Sequence, residues 1–153
     1  MIDIRPARSD DVTQIEACLT AAYAKARAEL QDLPDVTGGI AQDIAENTVF
    51  VADKDGAVVG VIVLVAREEA LLIANLGVDP KHGGQGIGGR LLSLAEDQAR
   101  QLGCRDMQLR THAGLTATLA MYLHLGWQES ARMGNVVSMV KPLCSDRPVA
   151  WLQ

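Results

Sequence analysis

Apolar and polar residues alternate from Ile2 to Arg5, the mark of a short strand, and Pro6 closes it. Ser9, Asp10 and Asp11 then offer side-chain oxygens that can cap a helix start. Ile15, Cys18, Leu19, Ala22, Ala26 and Leu30 recur at helical spacing, with Gln14, Glu16, Lys25 and Glu29 on the opposite face. That division predicts a half-buried helix. Residues 31–39, rich in Asp, Pro and Gly, read as a loop, and a short helix is predicted over residues 40–46. Three strands follow, at 48–52, 57–66 and 71–78. Asp55-Gly56 is a hairpin signal between the first two, and Glu68 and Glu69 mark the next turn. The nearly continuous β-branched run from Ala57 to Ala66 belongs in the centre of a sheet.

The second half repeats the alternation of elements. A helix carrying Ile87, Leu91, Leu94, Ala95 and Leu102 on one face ends at Gly103. Met107 to Thr111 reads as a strand and Thr116 to Leu125 as a short helix stopped by Gly126. Residues 127–132 and 136–140 form a closing hairpin around Gly134-Asn135. The order β-α-α-β-β-β-α-β-α-β-β predicts a mixed α/β (α+β) sheet with both antiparallel and parallel pairs. One domain is expected over residues 1–142. A tail follows over 143–153, whose Val149, Ala150, Trp151 and Leu152 are available to pack on the body or on a partner.

Composition narrows the partners. The 153 residues carry 48% hydrophobic and 22% charged side chains and a formal net charge of −5. With no dense Lys/Arg stripe, nucleic acid is not expected as a partner, while a cationic or amine substrate suits the charge. Cys18, Cys104 and Cys144 are scattered and lack CxxC spacing, which fits reduced thiols in the cytoplasm rather than a disulfide framework or a metal site. The N-terminus lacks the apolar core of a signal peptide, and the longest apolar run is too short to span a membrane.

The candidate chemistry lies between Val78 and Leu92, where five of the seven residues from Gly83 to Gly89 are glycine. Each glycine inside a helix costs about 0.5–1 kcal/mol relative to alanine, so several at one helix start sacrifice stability. In return they leave a bare backbone whose N–H groups, at the positive end of the helix dipole, can cradle an anion. Gly84-Gln-Gly-Ile-Gly-Gly89 satisfies GxGxxG, but Pro80 to Gly83 separate it from the strand. The next strand ends in Arg110 and Thr111 rather than an acid, so the dinucleotide reading fails. A P-loop fails because Gly88 is followed by Gly89-Arg90 and not by Lys-Ser/Thr.

The chain resembles the GNAT superfamily of acyl-CoA-dependent N-acetyltransferases along nearly its whole length. Val78-Asp-Pro80 followed by Gly83-Gly-Gln-Gly-Ile-Gly88 aligns with the family's strand, V-x-P, [Arg/Gln]-x-x-Gly-x-[Gly/Ala] motif. Tyr122-Leu-His-Leu-Gly-Trp127 matches its Y-x-x-x-G-[F/W] helix end, about 35 residues further on. The resemblance implies a GNAT-like fold and acetyl transfer from acetyl-CoA directly to a primary amine of a small molecule or peptide. It implies that main-chain N–H groups within Gly83, Gly84, Gln85, Gly86, Ile87, Gly88 and Gly89 hold the CoA pyrophosphate. It also implies that the fourth and fifth strands splay around the pantetheine arm, with Gly77 aiding the splay and Val78 pairing with the arm. Leu76 N–H would stabilise the developing oxyanion and Tyr122 would protonate the departing thiolate. Relatives often form homodimers, to which the Trp151 tail could contribute.

The chain also departs from the family pattern. Gly83 replaces the usual Arg or Gln, with Lys81 and Arg90 as candidate substitutes, and Leu115 stands where relatives often have Asn. Arg110 occupies the position of a glutamate base found in some members, which leaves His112, Glu68, Glu69 or a water as candidate bases. Arg110 could instead bind a substrate carboxylate. His82 is the histidine best placed to touch phosphate, and Asn75, Asp32 and Asp35 could border the acceptor. A catalytically weak acyl-CoA-binding module is the alternative reading.

Overall fold

The computed structural model describes residues 2–30, 32 and 38–143. The expectations for Asp35, Cys144 and the tail residues Val149 to Leu152 lie outside the described residues. The elements are β1 (Ile2–Pro6), α1 (Val12–Glu29), α2 (Ile40–Glu46), β2 (Thr48–Lys54), β3 (Ala57–Arg67), β4 (Ala70–Val78), α3 (Ile87–Gln101), β5 (Asp106–His112), α4 (Thr116–His124), β6 (Gln128–Met133) and β7 (Val136–Pro142). Short 3-10 turns occupy Ser9–Asp11 and Pro80–His82. The predicted element order and mixed α/β class are thus observed, with strands ordered β1-β2-β3-β4-β5-β7-β6. The described residues form two compact units, one from 2–65 with 73–95 and one from 66–72 with 96–143.

In the first unit β1 pairs antiparallel with β2, from Ile2 opposite Lys54 to Pro6 opposite Phe50, and β2 pairs antiparallel with β3. Seven consecutive residues of β3, Val58 to Leu64, are buried, which is why that run reads as continuously apolar. Ile15, Cys18 and Leu19 of α1 and Ile40 of α2 pack with Val49, Val51, Val58, Val61 and Val63 as one core cluster. Glycine lets helices approach the strands closely at two points. A Cβ on Gly77 would lie 2.8 Å from Leu19 Cδ2 and 3.2 Å from Ala22 Cβ. A Cβ on Gly60 would lie 2.8 Å from Ile87 Cγ2 and 3.3 Å from Leu91 Cδ1. Gly77 thus lies in close contact with α1.

Two expectations about helices need correction. The Asp11 carboxylate does not cap α1; it accepts from Arg8 N–H at 2.7 Å and from the Arg5 guanidinium at 2.8 and 3.0 Å. The buried stripe of α3 is Ile87, Leu91, Ala95 and Ala99. Leu94 is only partly buried, and Leu102 lies beyond the helix and is 61% exposed.

In the second unit β5 and β6 each pair antiparallel with β7. Met107, Leu109, Val137 and Met139 alternate inward and are buried, while every residue of β6 is exposed. Glu96 accepts from Lys141 Nζ at 2.9 Å and from Arg100 at 2.8 Å. Arg100 also donates to the Leu143 carbonyl at 3.2 Å, and Leu143 N–H donates to the Arg105 carbonyl at 2.8 Å. Leu143, which the sequence assigns to the tail, is 1% exposed and belongs to the core.

Candidate functional site

The glycine stretch is built by a chain of local bonds. Asp79 N–H donates to Val59 O at 2.9 Å, which ties the end of β4 to β3. Asp79 Oδ1 then accepts from Lys81 N–H at 3.0 Å, and Pro80 supplies a fixed φ at the start of the 3-10 turn. His82 N–H donates to Asp79 O at 2.9 Å and Gly83 N–H to Pro80 O at 3.2 Å. Gly83 therefore shapes the turn, and its own N–H is used within it.

From Gly84 the pattern changes. Gly84 (φ +79°) and Gly86 (φ +77°) adopt the left-handed conformation that glycine tolerates without strain. Main-chain donation resumes at Arg90, whose N–H bonds Gly86 O at 3.0 Å. Among the described residues, the six N–H groups from Gly84 to Gly89 thus have no main-chain acceptor. Gly84, Gln85, Gly86 and Gly89 are exposed, and added Cβ atoms at Gly84, Gly86 and Gly89 would meet nothing within 4 Å. Helix starts leave such donors by construction, and the dipole of a 15-residue helix lies behind them. Glycine at 88 and 89 is not explained by crowding within the chain, since a Cβ at 88 would make only an ordinary 3.8 Å contact with Val78 Cγ2. This open, donor-rich cradle fits a pyrophosphate.

Arg90, Lys81 and His82 flank the glycine turn in the chain. Arg90 donates to the Ile2 carbonyl at 3.0 Å, so part of its guanidinium is used away from the cradle. Lys81 is exposed. His82 Nδ1 is buried and, among the described residues, has no hydrogen-bond partner. A lone pair tolerates that position better than an N–H, which favours the tautomer carrying its proton on Nε2.

One residue with no local sequence signal organises the end of β4. Tyr23, on α1, donates its hydroxyl to the Leu76 carbonyl at 2.9 Å and lies 3.3 Å from Asn75 Oδ1. Burial pushes the Tyr23 hydroxyl above its ordinary pKa, and its bond to a carbonyl needs the proton in place. Tyr23 thereby fixes Leu76, the residue whose N–H the sequence reading assigns to oxyanion stabilisation. Asn75 is held by the same hydroxyl. Nearby on α1, burial pushes the Cys18 thiol up to about 11, so it is no nucleophile at neutral pH.

Tyr122 lies in the second unit, on α4, and is 6% exposed. Gly126 (φ +98°) reverses the chain after α4, so that Trp127 N–H donates to Tyr122 O at 3.0 Å. The two rings then meet edge to face, with centroids 5.5 Å apart at 65°. The Y-x-x-x-G-W spacing is the spacing of this reversal, and it locks the tyrosine ring. Of the candidate bases, Glu69 pairs with Arg105 at 2.6 Å on the surface. His112 Nδ1 accepts from Gly114 N–H at 2.8 Å.

The acetyltransferase (GNAT) family model matches residues 14–127, three-quarters of the sequence and spanning both the glycine turn and Tyr122. The chain belongs to the GNAT acetyltransferase family. Among curated proteins it is 26% identical over 136 residues to the uncharacterized N-acetyltransferase YhfO of Bacillus subtilis (strain 168), covering 84% of this chain and 91% of that one. The PaiA N-acetyltransferase of Thermoplasma acidophilum, solved with coenzyme A, superposes with a TM-score of 0.84. It is 17% identical, over 94% of this chain and 99% of that one. YncA, a putative acetyltransferase from Salmonella typhimurium solved with acetyl-CoA, gives 0.74 at 21% identity over 94% of each chain. These structures share the fold, so the GNAT architecture expected from the two motifs is observed.

Proposed function

We propose that this GNAT protein transfers the acetyl group of acetyl-CoA to a primary amine on a small molecule or peptide. The observation that carries the proposal is the run of six main-chain N–H groups, Gly84 to Gly89, without main-chain acceptors among the described residues at the start of α3. Coenzyme A in the Thermoplasma relative and acetyl-CoA in the Salmonella relative support the choice of anion. Acetyl-CoA supplies the thioester and a thiolate leaving group. The cradle holds its pyrophosphate, and the main chain at Val78 pairs with the pantetheine arm. Leu76 N–H donates to the oxygen that gains charge as the amine nitrogen bonds to the carbonyl carbon and the C–S bond breaks. Tyr122 gives its proton to the departing sulfur, and the amine's surplus proton passes to solvent.

Thiol release from acetyl-CoA over a panel of amines tests this. Wild type should turn over at least one amine, and Tyr122→Phe should lower kcat by about 10²-fold or more while retaining CoA affinity, the scale of lost general acid catalysis. CoA binding without turnover of any amine would favour a binding module instead. Failure to bind CoA would remove both readings.

A further inference from the structure

The alternation of β5 and β7 leaves a second set of side chains on the face opposite the buried one. Arg110 stands directly across from Ser138, and Gln108 across from Val140. The pairing of β6 with β7 is irregular between Glu129 and Ala131, which leaves Ser130 as the extra residue, with its hydroxyl donating to Ser138 O at 3.2 Å. Together with Leu72, these residues line a cleft of about 230 Å³. The cleft lies wholly within the second unit and rests on paired strands, so its geometry is fixed by the ladder.

Its charge is unusual for this chain. Acidic residues outnumber basic ones 19 to 14, yet among the described residues no acidic side chain lines the cleft. Arg100, Arg105 and Arg132, in the same unit, each meet a glutamate at 2.9 Å or less. The Arg110 side chain makes no hydrogen bond or ion pair with any described residue. A planar guanidinium in the same cleft as the Ser138 hydroxyl suits a carboxylate, which it can take through two parallel N–H bonds. The half-buried Leu72 and Val140 give the apolar wall that a carboxylate's carbon stem needs. The volume is below the roughly 300 Å³ at which whole-ligand sites begin, so it suits one end of a ligand.

We propose that this cleft binds the carboxylate of the acceptor, which makes the acceptor an amine that also carries a carboxylate, of the amino-acid class. The amine half of the statement rests on the acetyl-transfer reading; the carboxylate half does not. Two measurements separate them. Arginine Nε–H signals are followed by NMR during titration with an N-acetylated amino acid and with its C-terminal amide. The carboxylate should shift and saturate one signal, absent in Arg110→Gln, and the amide should leave it in place. Ser138→Ala should weaken the same titration by several-fold.

Kinetically, kcat/KM for a free amino acid divided by that for its amide should fall about 10- to 100-fold in Arg110→Gln, mainly through KM, as expected for a lost charge-assisted pair. Equal shifts by acid and amide, no shift by either, or an unaltered ratio in the variant would overturn the cleft's assignment. A saturable Arg110 shift in a protein that acetylates no amine would leave the carboxylate site standing and remove the acetyl-transfer reading.

Discussion

Replacing Gly88 and Gly89 together by alanine separates the fold's needs from the ligand's. Both residues lie in the first turn of α3, neither has a positive φ, and added Cβ atoms meet at most Val78 Cγ2 at 3.8 Å. Alanine is favoured over glycine by about 0.5–1 kcal/mol in a helix interior, and a first-turn site earns the lower end of that range. The pair should therefore stabilise the protein by about 1 kcal/mol, or roughly 2–4 °C in melting temperature at this size. CoA affinity should move the other way, because two methyl groups would stand where a pyrophosphate approaches the backbone. A loss of about 10-fold or more is expected, equivalent to about 1.4 kcal/mol. Thermal unfolding and calorimetric titration with CoA read the two quantities on one sample. A variant that melts lower would show that the fold itself needs these glycines. A variant that melts higher and binds CoA as tightly as wild type would refute the cradle.

Two further outcomes concern stability. In Gly60→Ala the new methyl would meet Ile87 Cγ2, on a β-branched side chain that cannot swing aside. A loss of about 1–3 kcal/mol in urea unfolding is expected, with weaker CoA binding because Ile87 opens α3; wild-type stability would contradict the contact. The Arg5 guanidinium and the Arg8 N–H hold the Asp11 carboxyl down at about 2, from an ordinary 3.8. That drop corresponds to at most about 2.4 kcal/mol, reduced by the water that reaches Arg5, present above pH 4 and lost as pH falls through 2. Asp11→Asn should lower stability by about 1–2 kcal/mol at pH 7 and much less at pH 2, measured by urea unfolding at both; equal losses would refute the charge argument.

The order of elements was legible because the chain punctuates itself. Asp55-Gly56, Gly103, Gly126 and Gly134 all take the positive φ values that end an element or turn a hairpin. Packing faces were less legible where small residues carry them. Ile87, Leu91 and Ala95 of the buried α3 stripe were read correctly, but Ala99 was passed over and the larger Leu94 and Leu102 were taken in its place. The glycine turn was legible as a stretch of open main chain at a helix start, since its composition is costly for a helix. Tyr23 was not, because its partner carbonyl at Leu76 is 53 positions away and nothing local marks the pair. At Gly77 the close approach of Leu19 was equally illegible, because that neighbour lies on a different element.

The fastening of β7 has a consequence for motion. To peel from its neighbour, the end of that strand must break both bonds to Glu96 and Arg100 and draw Leu143 into water. The edge strand β6, exposed throughout, has no such anchor among its described bonds beyond Ser130 and the surface pair of Glu129 with Arg132. Amide exchange in the hairpin should therefore be lopsided, with β6 and the β7 amides that donate to it opening in small local events, and the β7 amides that donate to β5 exchanging only when the second unit opens as a whole.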